Sequence, residues 1–148
     1  MEDRYLYKAK TTPKEKGEFN NIWVTGNLIV SNGKYYIHPM NNVVNVKNEI
    51  GRIIVMHEVI PDTICQCTGL KDKNGKLIWE NDIVKDKHGN FYKVFWQNNY
   101  YQFSWICVKS DVFLIGAKWD LWSFKSFEIE VIGNIFDNAE LLESEEND

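Results

Sequence analysis

No stretch of the 148 residues approaches the roughly 20 consecutive apolar positions that a membrane-crossing helix needs. The opening MEDRYLYKAK also lacks the apolar core of an export signal. The expected setting is therefore the cytoplasm, with no membrane partner. Cysteine is scarce and odd in number: Cys65, Cys67 and Cys107. Disulfides are rare in a reducing compartment, so free thiols are expected. In CQC one residue separates Cys65 from Cys67, whereas paired zinc ligands are spaced by about two to four residues and a second pair completes the site. No second pair exists, and His38, His57 and His88 do not repair the spacing, so no metal is expected.

Surplus positive charge is missing as well. The net charge is −4, and the tail ELLESEEND supplies Glu140, Glu143, Glu145, Glu146 and Asp148; without those five, 17 basic residues face 16 acidic ones. A near-neutral body lacks the basic footprint of a dedicated DNA binder, and the tail reads as a solvated end.

Catalytic motifs are equally absent. A phosphate loop needs G-x-x-x-x-G-K-[ST], so that backbone amides wrap a phosphate and the lysine reaches its charge. In TGLKDKNGKLIWENDIVKDKHGN, Gly69 and Gly75 are spaced wrongly and Lys76 is followed by Leu77. A calcium loop beginning at Asp72 would need an oxygen ligand at its fifth position and glycine at its sixth, where Lys76 and Leu77 stand. Ser104, Ser110, Ser123 and Ser126 lie outside any nucleophile elbow. Glu80 and Asp82 share a strand face, but acid catalysis would need one of them buried with a shifted pKa. The reading is of a non-enzyme, without catalytic residues or cofactor.

Aromatic residues, by contrast, are abundant: six Trp, seven Tyr and eight Phe. They favour half-buried pleated surfaces, and the hydrophobic period is two far more often than 3.6. IWVTGNLIVSNGKYYIHP reads as two strands around Asn32-Gly33, residues that tolerate positive φ in a tight hairpin. Ile53–Met56 reads as another strand, and MNNVVNVKNEIG as irregular. Asp72–Gly75 and His88–Asn90 each join apolar runs, so the stretch from Thr68 to Asn90 is predicted to be a double hairpin. Tyr92, Val94 and Trp96 alternate with Phe91, Lys93 and Phe95; Tyr101, Phe103, Trp105 and Cys107 share one face; and Phe127, Ile129 and Val131 alternate with glutamates. SDVFLIGAKWDLWSF is ambiguous, and NAELLESEE predicts a short helical turn capped by Asn138. The expected fold is mainly β: an N-terminal β-hairpin region at 1–60, a barrel-like, SH3-like β region at 61–136, and an acidic C-terminal end at 137–148 with a short helical segment.

Two segments carry a resemblance. CQCTGLKDKNGKLIWENDIVK is similar to the TGL-D-NGK-I-E-GDIV signature of the YopX family of phage and prophage proteins, and EVIGNIFDNAELL to that family's closing VIGNIYENPELL. The opening RYLYKAK and GEFNNIWVTGNLI are compatible with its first hairpin, so the resemblance runs from about Arg4 to Leu142. Asn81 stands where the family has Gly, and Ala139 where it has Pro. Asn is the non-glycine residue that best holds a left-handed conformation, and losing a helix-starting proline does not forbid the turn. The resemblance implies a mainly β protein acting in the bacterial host cytoplasm. It transfers no catalytic residue, since Thr68, Gly69, Leu70, Gly75, Asp82, Ile83 and Val84 are of the kind that build turns and cores.

Two functions are compatible with these features. The first is an accessory protein acting through protein contacts, as a homo-oligomer or on a host or phage protein, because Trp and Tyr are enriched at interfaces. The alternative is a single-stranded nucleic-acid-binding module, with Lys85, Lys87, Trp96, Tyr100 and Tyr101 as its surface, since such modules combine cations with stacking rings.

Overall fold

The computed structural model describes residues 2–13, 21–39, 47–48, 51–52, 56–125 and 128–142. Most of the predicted strand Ile53–Met56, most of MNNVVNVKNEIG, the strand position Phe127 and the acids after Leu142 lie outside the described residues. The chain divides into two units between Cys67 and Thr68, whereas the sequence reading places its boundary after residue 60.

In the N-terminal unit, β1 (Tyr7–Lys10), β2 (Trp23–Ser31), β3 (Lys34–Pro39), β6 (His57–Glu58) and the start of β7 (Cys65–Lys71) form an antiparallel sheet in the order β6-β3-β2-β1-β7. Two short strands, β4 (Lys47–Asn48) and β5 (Gly51–Arg52), pair with each other. The β2–β3 hairpin turns as predicted: Asn32 and Gly33 both have positive φ, and Ser31 lies opposite Lys34. One face closes over Ala9, Ile37 and Val59, with Tyr7, Val24, Leu28 and Ile64 packed around them. Gly26 sits where β2 and β3 approach so closely that a Cβ would overlap the His38 carbonyl oxygen. Cys65 and Cys67 are buried on one face of β7, neither of them in a disulfide.

The C-terminal unit begins with the rest of β7 and continues through β8 (Leu77–Trp79), β9 (Asp82–Asp86), β10 (Phe91–Gln97), β11 (Gln102–Lys109), β12 (Lys118–Asp120) and β13 (Ile129–Asn134). Five of them form a sheet in the order β12-β11-β10-β9-β13, antiparallel throughout. Its core is one of the two faces that alternation separates: Tyr92 and Val94 of β10 lie opposite Cys107 and Trp105 of β11, with Val84, Ile78 and Ile129 beside them. Burying each such side chain contributes about 1.5–3 kcal/mol. Trp105 keeps its indole N–H satisfied on the Leu121 carbonyl.

Two expectations are corrected. The barrel-like region is an open sheet: among the described residues β12 and β13 are its edges, and no pairing joins them. The C-terminal helical segment is a single 3-10 turn, Ala139–Leu142, and no α-helix occurs among the described residues. Asn138 does not cap that turn. Its Oδ1 instead accepts the N–H of Asn134, four residues back, while Asn134 Oδ1 accepts the N–H groups of Phe136 and Asp137.

Candidate interaction site

The chemistry of the C-terminal unit begins with two turns of the same construction. Asp72 Oδ1 accepts the N–H groups of Asn74 and Lys76, and Asp86 Oδ1 accepts those of His88 and Asn90. Each turn closes through a left-handed glycine, Gly75 or Gly89, and the Asp N–H donates to the carbonyl four residues on. Asn74 does not adopt positive φ, so Asp72–Lys76 is a longer turn than an Asn-Gly pair predicts. The Oδ1 atom of each aspartate is thus engaged by two backbone donors.

The second carboxylate oxygen of each aspartate reaches further. Asp72 Oδ2 accepts the N–H of Val131 in β13. Asp86 Oδ2 accepts both the Asn90 side-chain amide at 2.9 Å and the Tyr92 hydroxyl at 2.8 Å. Burial opposes ionisation at both carboxyls, but the donors around them outweigh it, so both titrate below the ordinary range. Burial, followed by the hydrogen bond and charge of Asp86, pushes the Tyr92 phenol far up. Burial and the same charge raise the Cys107 thiol, against a hydrogen bond from the Lys109 backbone.

Asn90 extends this network to Ser110, whose hydroxyl donates to Asn90 Oδ1 at 2.6 Å and accepts the N–H groups of Val112 and Phe113. Ser110 is the base of the β11–β12 loop, which also closes through Ala117 N–H to Leu114 O and Gly116 N–H to Cys107 O. The loop is thus fixed at its root, yet its tip is apolar and faces water: Val112 is 79%, Leu114 84% and Ile115 62% exposed. Phe113 folds back with its ring 5.2 Å from that of Trp119. A cavity of about 540 Å³ opens between this loop and the β9–β10 turn, lined by Val112, Phe113, Phe124, His88 and Glu128. A run of exposed apolar residues on an ordered loop is an error in a fold unless it has a partner.

The residues singled out from sequence fall at two ends of β10. Trp96, Tyr100 and Tyr101 come together where β10 turns into β11. Trp96 packs edge-on against Phe103, both tyrosines are exposed, and Tyr101 takes positive φ. Lys87 lies in the turn before β10, and Lys85 is near it on β9, with its Nζ 3.7 Å from Glu130, which also pairs with Lys73. A strand of this length separates the two groups by about 20 Å. Lys85 and Lys87 thus stand at one end of the strand and the three aromatic residues at the other. The β11–β12 tip lies within the segment whose periodicity was ambiguous; four apolar residues without alternation were the available signal.

The motif residues behind the resemblance have structural tasks. Thr68 Oγ1 donates to Ile78 O and accepts the N–H of Leu70, Gly69 has positive φ, and Asp82 Oδ2 accepts the N–H of Trp79. Ile83 and Val84 are fully buried, and Asn81 holds φ 68° in place of the family's glycine. No curated protein matches the chain. The YopX protein family model matches residues 2–143, nearly its whole length, and the chain belongs to that family.

Proposed function

We propose that the chain is a non-enzymatic accessory protein of phage or prophage origin that works in the host cytoplasm by protein contact, through the β11–β12 loop. The observation that supports this reading is the exposed Val112-Leu114-Ile115 tip, held out by the Ser110–Asn90–Asp86 network. Loops set on a rigid scaffold are where binding residues concentrate, and the surrounding hydrogen bonds reduce the ordering cost of association. The partner is a host or phage protein, or a second copy.

The test pairs the unaltered chain with a Leu114→Ser/Ile115→Ser variant in affinity capture from nuclease-treated lysate of an induced host, with light scattering to detect self-association. The expected result is a nuclease-resistant partner, or an oligomer, lost in the variant while the unfolding free energy stays within about 0.5 kcal/mol, as for surface changes generally. The same partner or oligomer recovered with both proteins would exclude the loop as the contact.

A further inference from the structure

The outward face of β10–β12 carries three lysines, Lys93, Lys109 and Lys118, against one acid, Asp120 of β12. Opposed residues in an antiparallel pair share a face, so β10 directs Phe91, Lys93, Phe95 and Gln97 away from the core. Neither β10 nor β11 contains an acid. The Nζ of Lys109 lies 5.3 Å from the centre of the Phe91 ring and that of Lys118 5.7 Å from the centre of Phe95. Lys109 and Lys118 are both exposed. The near-neutral total charge conceals this local row of cations.

Beyond Phe95 the face runs into a cleft of about 560 Å³ bounded by Gln97, Gln102, Asp120, Tyr100 and Lys118. Its polar groups are set in place by Ser104, which is fully buried: the hydroxyl donates to Gln97 Oε1 and accepts from Gln102 Nε2, which also donates to Asp120 Oδ1. Among the described residues this leaves the Gln97 amide N–H groups, Gln102 Oε1 and Asp120 Oδ2 to meet a ligand, beside the exposed Tyr100 ring. One cation and one anion in the cleft suit a neutral, flat group bearing both donors and acceptors. The cations outside it suit phosphates.

We propose that this face binds a single strand of nucleic acid, with phosphates along Lys93, Lys109 and Lys118 and one base in the cleft against Tyr100. Bases stack on aromatic rings without regard to sequence, while lysines track the backbone. The proposal is independent of the β11–β12 loop; Lys85, opposite Phe91, lies on the same face beside the three lysines, whereas Lys87 stays in the β9–β10 turn.

The test is fluorescence anisotropy of the full chain with labelled twelve-residue oligothymidylate and oligouridylate, which separate a DNA from an RNA ligand. Three phosphate contacts predict affinity falling about twentyfold between 50 and 200 mM salt. Lys118→Glu and Lys93→Glu should each weaken binding about fivefold or more and flatten that dependence, and Tyr100→Ala should also weaken it about fivefold or more. Lys87→Glu and the loop variant should bind as the unaltered chain does. Photocrosslinking of the unaltered chain should mark Tyr100, Phe95 or Phe91, which keeps the test informative where a variant fails to fold. No binding of either oligonucleotide at 50 mM salt, equal loss with Lys87→Glu, or crosslinks confined to Val112–Ile115 would overturn the proposal.

Discussion

Asp86 receives four hydrogen bonds, two from backbone N–H groups and two from the side chains of Asn90 and Tyr92. Hydrogen bonds to a charged group are the stronger kind, and the cost of losing one is set by the partner left unsatisfied. Asp86→Ala would strand the buried Tyr92 hydroxyl and two turn amides at once. Tyr92→Phe removes one donor from a carboxylate that keeps three. Asp86→Ala should therefore cost about 2–4 kcal/mol and Tyr92→Phe about 1–2 kcal/mol, measured by urea unfolding. Near-equal losses would mean that the phenol, and not the turn, dominates the network. In sequence Asp86 is one of 21 acids, and no alternation or spacing distinguishes it from Lys-flanked surface carboxylates. Its role depends on N–H groups that point inward only after Gly89 has turned the chain.

Among the elements, the hairpins were the legible part, because their determinants are local. Asn32-Gly33 and Asn81 take the left-handed conformations that these residues tolerate, and two-residue alternation grouped Tyr92 with Val94 and Trp105 with Cys107 on shared faces, without telling which face is buried. The β11–β12 loop was not legible. A short apolar run such as Val112–Ile115 reads equally as a core strand, and what fixes it as a loop is the anchoring of its root, by Ser110 on Asn90 and Gly116 on Cys107. Closure of a sheet is a relation between distant edges, so the sequence offered no signal that β12 and β13 would stay apart. The closing GNIFDN segment shows a third case: glycine there serves the close approach of Asn138, since a Cβ on Gly133 would meet the Asn138 side chain. That side chain can move away, with loss of its bond to the Asn134 N–H, whereas the backbone carbonyl facing Gly26 cannot. Gly133→Ala is expected to cost about 1–2 kcal/mol, and Gly26→Ala about 3 kcal/mol or more, because overpacking must be relieved by shifting β3. Thermal unfolding of the two variants should rank them in that order. The reverse order would place the tighter constraint in the C-terminal turn.

For the whole molecule, charge and titration set the conditions under which either binding surface exists. Asp72, Asp86, Tyr92 and Cys107, whose titration the fold shifts, lie in the unit that carries both proposed contacts. The carboxyls of Asp72 and Asp86 titrate below their ordinary value of 3.8 when folded. The unfolded chain then binds protons more readily than the folded one, and the stability they contribute is present above about pH 4 and lost as the pH falls through their folded values. Tyr92 and Cys107 are raised above their ordinary values of 10.0 and 9.0, so the sign reverses. Their contribution is complete below about pH 9 and declines at higher pH, because the unfolded chain releases those protons first. The melting temperature should form a plateau from about pH 5 to pH 8 and fall on both sides. Tyr92→Phe separates the alkaline limb from general charge repulsion. The difference in stability between the unaltered chain and this variant should shrink as pH rises past 10, since only the former has a phenol to ionise on unfolding. A difference that stays constant from pH 8 to pH 11 would show that the phenol does not set that limb, and that the fold is lost in base through its net negative charge instead.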